Sequence, residues 1–220
     1  MRPQTSPKVE DYLEAIHRCA RASGFASTND VARRLGVSVP AVTRMLSRLT
    51  ERDLVTHRPY RGVRLTDSGR KLARRLIRRH RLAERLLTDV IGLPWEMAHD
   101  EACKLQHAIA GEVETRLAEL LADKTTCPHG HPLDPTTRDD SLPLVRFQPP
   151  QKLQVVKLAD ESPEVILYLE KAGLVPGAWL RLTQREPFGG PLTVETAKGR
   201  RSIGRELADN IWVKPAASER

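Results

Sequence analysis

The punctuation of the first seventy residues constrains this chain most. Ser6-Pro7 starts a helix, a cap residue followed by proline in the first turn. Val9, Leu13, Ile16 and Ala20 then recur at helical spacing up to Ser23-Gly24. A second helix opens at Ser27-Thr28-Asn29, turns Val31, Ala32 and Leu35 inward and breaks at Gly36. Ser38 caps a third, Pro40 sits where an early proline is tolerated, and Val42, Met45, Leu46 and Leu49 make its buried stripe. Leu54 to His57 and Gly62 to Thr66 read as two short strands around a Pro59-Tyr60-Arg61-Gly62 turn. Thr66-Asp67-Ser68-Gly69 then caps a long helix that runs past His80. Helix, helix, tight turn, helix, hairpin is the order of a winged helix-turn-helix.

Beyond it, Leu72, Leu76, Leu82, Leu86, Leu87 and Ile91 continue a helical stripe to Gly92-Leu93-Pro94. The spacing of Ala102, Leu105, Ile109, Val113, Leu117 and Leu120 predicts a second long helix. Such stripes without large aromatics suit a helical dimer interface, with intramolecular packing as the alternative. Residues 123–151 form a connector, rich in Pro, Gly, Thr and Asp from Thr125 to Asp140. Five short β-like runs follow from Lys152, with a helix from Pro163 to Ala172 between the first two, and suggest a small SH3-like barrel. The predicted fold class is α+β: a winged helix-turn-helix over 1–72, a helical dimerisation segment over 73–142, a Pro-rich linker over 143–151 and an SH3-like domain over 152–216.

The net charge of +8 is unevenly placed. Residues 1–80 hold 18 Lys+Arg against 7 Asp+Glu, a net of +11, whereas residues 81–142 hold 6 against 12, a net of −6. The basic part suits a polyanion and the acidic part suits cations; solvated Arg-rich faces are the bland alternative. No apolar run approaches a membrane span, and Met1 to Glu10 lacks a signal-peptide core, so a cytoplasmic location is expected. Three widely spaced cysteines do not make a disulfide framework.

His80 and Glu84 are four apart, as are His99, Cys103 and His107, with Gln106 beside them; Asp11 and Glu14 are three apart on the first helix. In an α-helix these spacings place side chains on one stripe. A solvated polar stripe is the alternative to a metal site.

On these motifs, His80-Arg81-Leu82-Ala83-Glu84 and His99 to His107 after a winged helix, the chain resembles the diphtheria toxin repressor family of iron-dependent and manganese-dependent regulators. The resemblance spans essentially the whole chain and extends to the SH3-like, FeoA-like tail. It implies a homodimeric, divalent-metal-activated repressor, not an enzyme, acting on metal uptake and homeostasis genes through a palindromic operator. It implies about two metal sites per subunit. One takes His80, Glu84, His99 and two tail residues, aligned to Glu161 and Glu164 with Asp160 as fallback. The other takes Asp11, Cys103, Gln106 and His107, with Glu14 added as in the manganese branch. Gln106 and Asp11 depart from the iron branch, and the harder oxygen donors favour Mn²⁺, with Fe²⁺ able to substitute. A cation joining these residues is expected to fix the winged helix in its DNA-competent orientation.

For DNA, the third helix offers Ser38, Pro40, Ala41, Thr43, Arg44 and Arg48 to the major groove and its phosphates, and the wing offers Arg58, Tyr60 and Arg61 to the backbone. Cys127-Pro128-His129-Gly130-His131 reads as a structural loop rather than a zinc knuckle, because no fourth ligand lies nearby in sequence. A winged-helix repressor answering a small organic ligand is one competing reading. A metalloenzyme is another, disfavoured because the chain carries no His-Glu-x-x-His motif, nucleophile elbow or phosphate loop.

Overall fold

The computed structural model describes residues 5–20, 24–58 and 60–216. The expected roles of Ser23 in ending the first helix and of Pro59 in the wing turn therefore lie outside the described residues. Contacts group the chain into two compact units, Met1–Arg79 and His80–Arg220.

The first unit comprises α1 (Pro7–Cys19), α2 (Thr28–Leu35), α3 (Val39–Glu51), the antiparallel hairpin β1 (Val55–Arg58) and β2 (Gly62–Leu65), and the start of α4 (Asp67–Arg85). The caps sit where the sequence puts them. Ser27 Oγ accepts the Asp30 N–H at 3.0 Å, and Ser38 Oγ accepts the Ala41 N–H at 3.4 Å. Removing a cap such as Ser27 costs about 1 kcal/mol. Leu13, Ile16, Val31, Val42, Leu49 and Val63 are fully buried and form the centre of one core. Burying that stripe is what fixes α3 with its opposite side outward.

In the second unit α4 continues into a π-helical turn (Leu86–Val90), then α5 (Trp95–Leu105) and α6 (Glu112–Leu120). The expected single helix through Leu120 is corrected. α5 ends at Leu105, His107 lies in the turn beyond it, and the chain restarts after Gly111, whose φ of 57° favours glycine. The apolar periodicity hid the break because Ile109 and Leu117, on either side of it, bury into one shared core with Leu82, Leu87 and Ala102.

The tail is a six-stranded antiparallel sheet in the order β3-β8-β4-β5-β6-β7, from β3 (Leu142–Pro143), β4 (Gln151–Leu158), β5 (Trp179–Arg185), β6 (Leu192–Thr196), β7 (Gly199–Ile203) and β8 (Ile211–Pro215). α7 (Pro163–Ala172) falls where predicted; β3 and the short α8 (Arg205–Asn210) were not anticipated. Alternate residues such as Leu153 and Val155, and Leu180 and Leu182, point into its core. Among the described residues, no helix is long and apolar enough to cross a membrane.

Candidate metal centre and nucleic-acid interface

Four elements of the second unit converge on one polar cluster. α4 supplies His80 and Glu84, one turn apart and both fully buried. α5 supplies His99, the connector supplies Cys127, His129 and His131, and the loop before α7 supplies Glu161.

Glu84 Oε1 lies 3.1 Å from His80 Nε2 and 3.1 Å from His129 Nδ1. His99 Nδ1 lies 2.7 Å from Glu161 Oε2 and 3.1 Å from His80 Nε2. His131 Nε2 lies 3.2 Å from Glu161 Oε1. Two overlapping donor sets result, His80-Glu84-His99-Glu161 and Glu84-Cys127-His129-Glu161, each with its donor atoms within 4.8 Å of one another.

The donor chemistry fits a divalent cation. His129 Nε2 faces the Trp95 carbonyl at 3.2 Å, and a carbonyl only accepts, so Nε2 carries a ring proton. Nδ1 faces the Glu84 carboxylate at 3.1 Å, where it donates a hydrogen bond while it holds a proton and offers a lone pair to a cation once that proton is lost. His80 repeats the pattern, with Nδ1 3.1 Å from Gln106 Oε1 and Nε2 turned to the carboxylate. Among the described residues Glu84 Oε2 is buried with no hydrogen-bond partner, a costly state for a carboxylate that a cation would relieve.

Burial works against charge on Glu84, but hydrogen bonds from His129, His80 and His99 hold its carboxyl well below the usual range. Burial also opposes charge on His99, yet the Cys103, Glu161 and Glu84 side chains push it up to about 12. The Cys127 thiol is pushed well up, first by burial and then by the nearby Glu84 and Glu161 charges. The Cys103 thiol, in spite of burial, is brought down to about 7 by His80 and His99.

Two expectations are corrected here. Cys127-Pro128-His129-Gly130-His131 is no bystander loop: Cys127 and His129 are buried inside the cluster. Their partners come from α4 and from the loop before α7, which sequence spacing could not reveal. Gly130 makes the fold of this loop possible. Its φ is 89°, and a Cβ there would stand 2.0 Å from the Val156 carbonyl oxygen of β4. The loop is held on the same strand by Leu158 N–H donating to His129 O at 3.0 Å and by His131 Nε2 at 2.9 Å from Leu158 O. The second correction concerns Glu164, which is exposed on the first turn of α7 and belongs to none of the clusters; Asp160 instead accepts the Ser162 N–H and hydroxyl. The one-turn offset from Glu161 fails because Glu161 precedes the helix.

Of the remaining expected metal ligands, Cys103 and Gln106 adjoin His80, at 4.0 Å and 3.1 Å from its Nδ1. His107 is half-buried in the turn after α5, off the helical stripe expected for it. Asp11 and Glu14 are half-buried on α1, in the first unit, and Glu14 Oε1 pairs with Arg18 Nε at 2.8 Å.

On the first unit, Ser38, Pro40, Thr43, Arg44 and Arg48 are exposed on or before α3, with Ala41 half-buried. Thr43 donates its hydroxyl to Val39 O at 3.1 Å, leaving its lone pairs outward. Arg58, Tyr60 and Arg61 are exposed on the wing. Sequence reading missed Phe25 and Arg64. The Arg58 and Arg64 guanidinium groups stand 5.8 Å and 5.3 Å from the Phe25 ring, which steadies the wing strands by cation–π contact.

Comparisons with known proteins agree. Residues 4–63 match the model for the iron dependent repressor N-terminal DNA binding domain, residues 66–134 that for its metal binding and dimerisation domain, and residues 142–215 the FeoA domain. The chain is 36% identical to the iron-dependent repressor IdeR of Mycobacterium tuberculosis, over 84% of this chain and 87% of that one. It is 47% identical to a diphtheria toxin repressor of Corynebacterium jeikeium, over 57% of this chain and only 52% of that relative's length. Among solved structures, a manganese-dependent transcriptional repressor in complex with manganese superposes with a TM-score of 0.85 at 30% identity, covering 94% of this chain and all of that one.

Proposed function

The chain belongs to the diphtheria toxin repressor family of metal-dependent transcriptional regulators, and from that membership we propose a homodimer that binds a palindromic operator when loaded with Mn²⁺, Fe²⁺ being able to substitute. Metal-dependent DNA binding is the family's activity; the choice of metal is the proposal. The observation that carries it is the pair of buried carboxylates, Glu84 and Glu161, facing imidazole nitrogens at 2.7–3.1 Å. Carboxylate and imidazole donors suit Mn²⁺ and Fe²⁺.

We assign the ion to His80, Glu84, His99 and Glu161, with His129 and Cys127 lining the same chamber. A cation held there would supply positive charge that offsets the two buried carboxylates. His129 is oriented by the Trp95 carbonyl and His80 by Gln106, so their metal-facing nitrogens are set before the ion arrives. A second ion, at Asp11, Glu14, Cys103, Gln106 and His107, completes the proposal and rests on the sequence resemblance.

The dimer face we assign to the open apolar groove lined by Leu86, Leu105, Ile109, Val113, Leu117 and Leu120. Val113 and Leu120 are 58% and 61% exposed in the single chain, large apolar groups that association would cover. A gel-shift titration with Mn²⁺, Fe²⁺ and Zn²⁺ against metal-transporter promoters tests the reading. Mn²⁺ should give retardation at the lowest concentration, and EDTA should abolish it. Retardation that is unchanged by EDTA refutes the proposal.

A further inference from the structure

On α1, α2, α5 and α6 a basic side chain pairs with an acidic one about a turn away: Arg18 with Glu14, Arg33 with Asp30, Lys104 with Glu101, and Arg116 with Glu112 and Glu119. α4 departs from this arrangement. No acidic residue stands between Asp67 and Glu84, and Arg70, Lys71, Arg74, Arg75, Arg78 and Arg79 all fall in that span. Lys71, Arg74, Arg75 and Arg78 are at i, i+3, i+4 and i+7, which makes one stripe. The first three are exposed, and among the described residues none of the three forms an ion pair. Asp67, one turn before Lys71, is taken by Arg70. Ala73, Leu76 and Ile77 are buried, so the stripe lies on the outward side of the helix. Like charges three or four residues apart oppose a helix about as much as unlike charges favour it, and Lys71 stands in that relation to both Arg74 and Arg75. The stripe therefore weakens α4 in the free protein.

The start of α4 is locked to the wing and to the end of α3. Thr66 donates its hydroxyl to Asp53 O at 2.7 Å and its N–H to Leu54 O at 3.1 Å. Gly69 presses on the same segment, since a Cβ there would stand 2.0 Å from the Leu54 carbonyl oxygen. Arg70 donates to Leu65 O, at the end of β2, at 2.7 Å. The first turn of α4 is thus seated on the residues that join α3 to β1, and Lys71, Arg74 and Arg75 follow directly.

We propose that Lys71, Arg74 and Arg75 are a further DNA contact, gripping backbone phosphates beyond those met by α3 and the wing. This rests on the DNA-binding reading above and extends it to a surface outside the helix-turn-helix and its hairpin. Phosphate oxygens only accept hydrogen bonds, and a row of ammonium and guanidinium groups without carboxylates only donates them. Such contacts carry no base information, so the stripe adds affinity for any duplex and leaves the choice of operator to α3. Each phosphate neutralised releases counterions condensed on the DNA. The same contact relieves the like-charge repulsion along α4.

The test uses full-length protein with Mn²⁺, a metal-transporter promoter fragment and a random-sequence duplex of the same length, with binding read by fluorescence anisotropy over a range of salt. In Lys71→Gln/Arg74→Gln/Arg75→Gln the plot of log affinity against log salt should become shallower by about two to three on both duplexes. At low salt both should bind about tenfold or more weakly. The melting temperature should hold or rise, since the like-charge pairs are gone. Lys71→Arg/Arg74→Lys/Arg75→Lys keeps every charge and should keep the wild-type slope. A slope unmoved by the glutamine variant overturns the proposal, and so does a loss confined to the promoter fragment. A slope lost equally in the charge-keeping variant also overturns it, because packing and not charge is then at work. An unmoved slope with altered sedimentation would make the acidic residues 81–142 of a second copy the partner instead. Failure of the function proposed above has its own signature, a wild-type retardation of the promoter that EDTA leaves unchanged, and that outcome does not touch the difference in slope.

Discussion

His99 on α5 and Glu161 in the loop before α7 meet at 2.7 Å, which makes the tail domain one wall of the proposed metal centre. Glu161→Ala should weaken Mn²⁺ binding at this centre by about 10–100-fold, the range seen when groups supporting a metal site are lost. Isothermal titration reads this directly. Glu164→Ala, on the exposed first turn of α7, should leave the affinity where it is.

Metal binding should release protons. His99 is protonated at neutral pH in the metal-free protein, because the Cys103, Glu161 and Glu84 side chains outweigh burial and lift it to about 12. Its nitrogen must lose that proton to ligate. The sign follows: lowering pH favours the protonated ring, so Mn²⁺ affinity falls as pH falls. Titrations in buffers of different ionisation enthalpy should give a positive proton release per ion, and His99→Gln should reduce it.

The proposed DNA contacts are residues distinct from the proposed metal ligands. Arg44→Ala should cost about 1–3 kcal/mol of operator affinity if Arg44 reads a base, and should leave Mn²⁺ affinity unaltered. Arg61→Ala should weaken binding across sequences and lower the salt slope by about one. Fluorescence anisotropy at several salt concentrations distinguishes the two.

Val113→Asp places a charge on the open apolar groove of α5 and α6. A homodimer joined there should dissociate by about tenfold or more in concentration, as expected when a charge is desolvated in an apolar interface. Analytical ultracentrifugation measures it, with the circular dichroism spectrum of the monomer preserved.

Asp139 and Lys157 form an ion pair in which both side chains are 15% exposed. Burial opposes the Asp139 charge, but the Lys157 and Ser141 side chains lower its pKa overall. A lowered folded-state pKa contributes stability that is fully present above the unfolded value near 4 and is lost as pH falls from there through the folded value. Asp139→Asn should therefore destabilise by up to about 1 kcal/mol at pH 7, and the gap in melting temperature should close below about pH 4.

The first unit was legible because its signals are local: Ser27 and Ser38 cap, Gly36 stops, and Val42 to Leu49 keep one buried face. His80 with Glu84 was equally legible as a one-turn pair. What escaped was long-range or conformational. Periodicity carried a helix across Gly111, since both flanks bury into one core. The Cys127 to His131 loop could not be joined to Glu84 from spacing, because a fold and not a motif brings them within reach. Glu164 looked as good as Glu161 so long as both were imagined on one helix.

Gly130 is the residue without a side chain on which the centre depends. With its α-carbon pressed to the Val156 carbonyl, the His129-bearing loop is seated on β4 as on an anvil. A chain cut after residue 142 would lose more than the Glu161 carboxylate: it would lose the strand that shapes the loop. The β-rich tail is therefore not an accessory that evolution or an engineer can exchange freely. A swapped tail would have to bring a carboxylate at the place of Glu161 and also a strand carbonyl spaced for a glycine, two debts that a sequence alignment of the tail alone would never reveal.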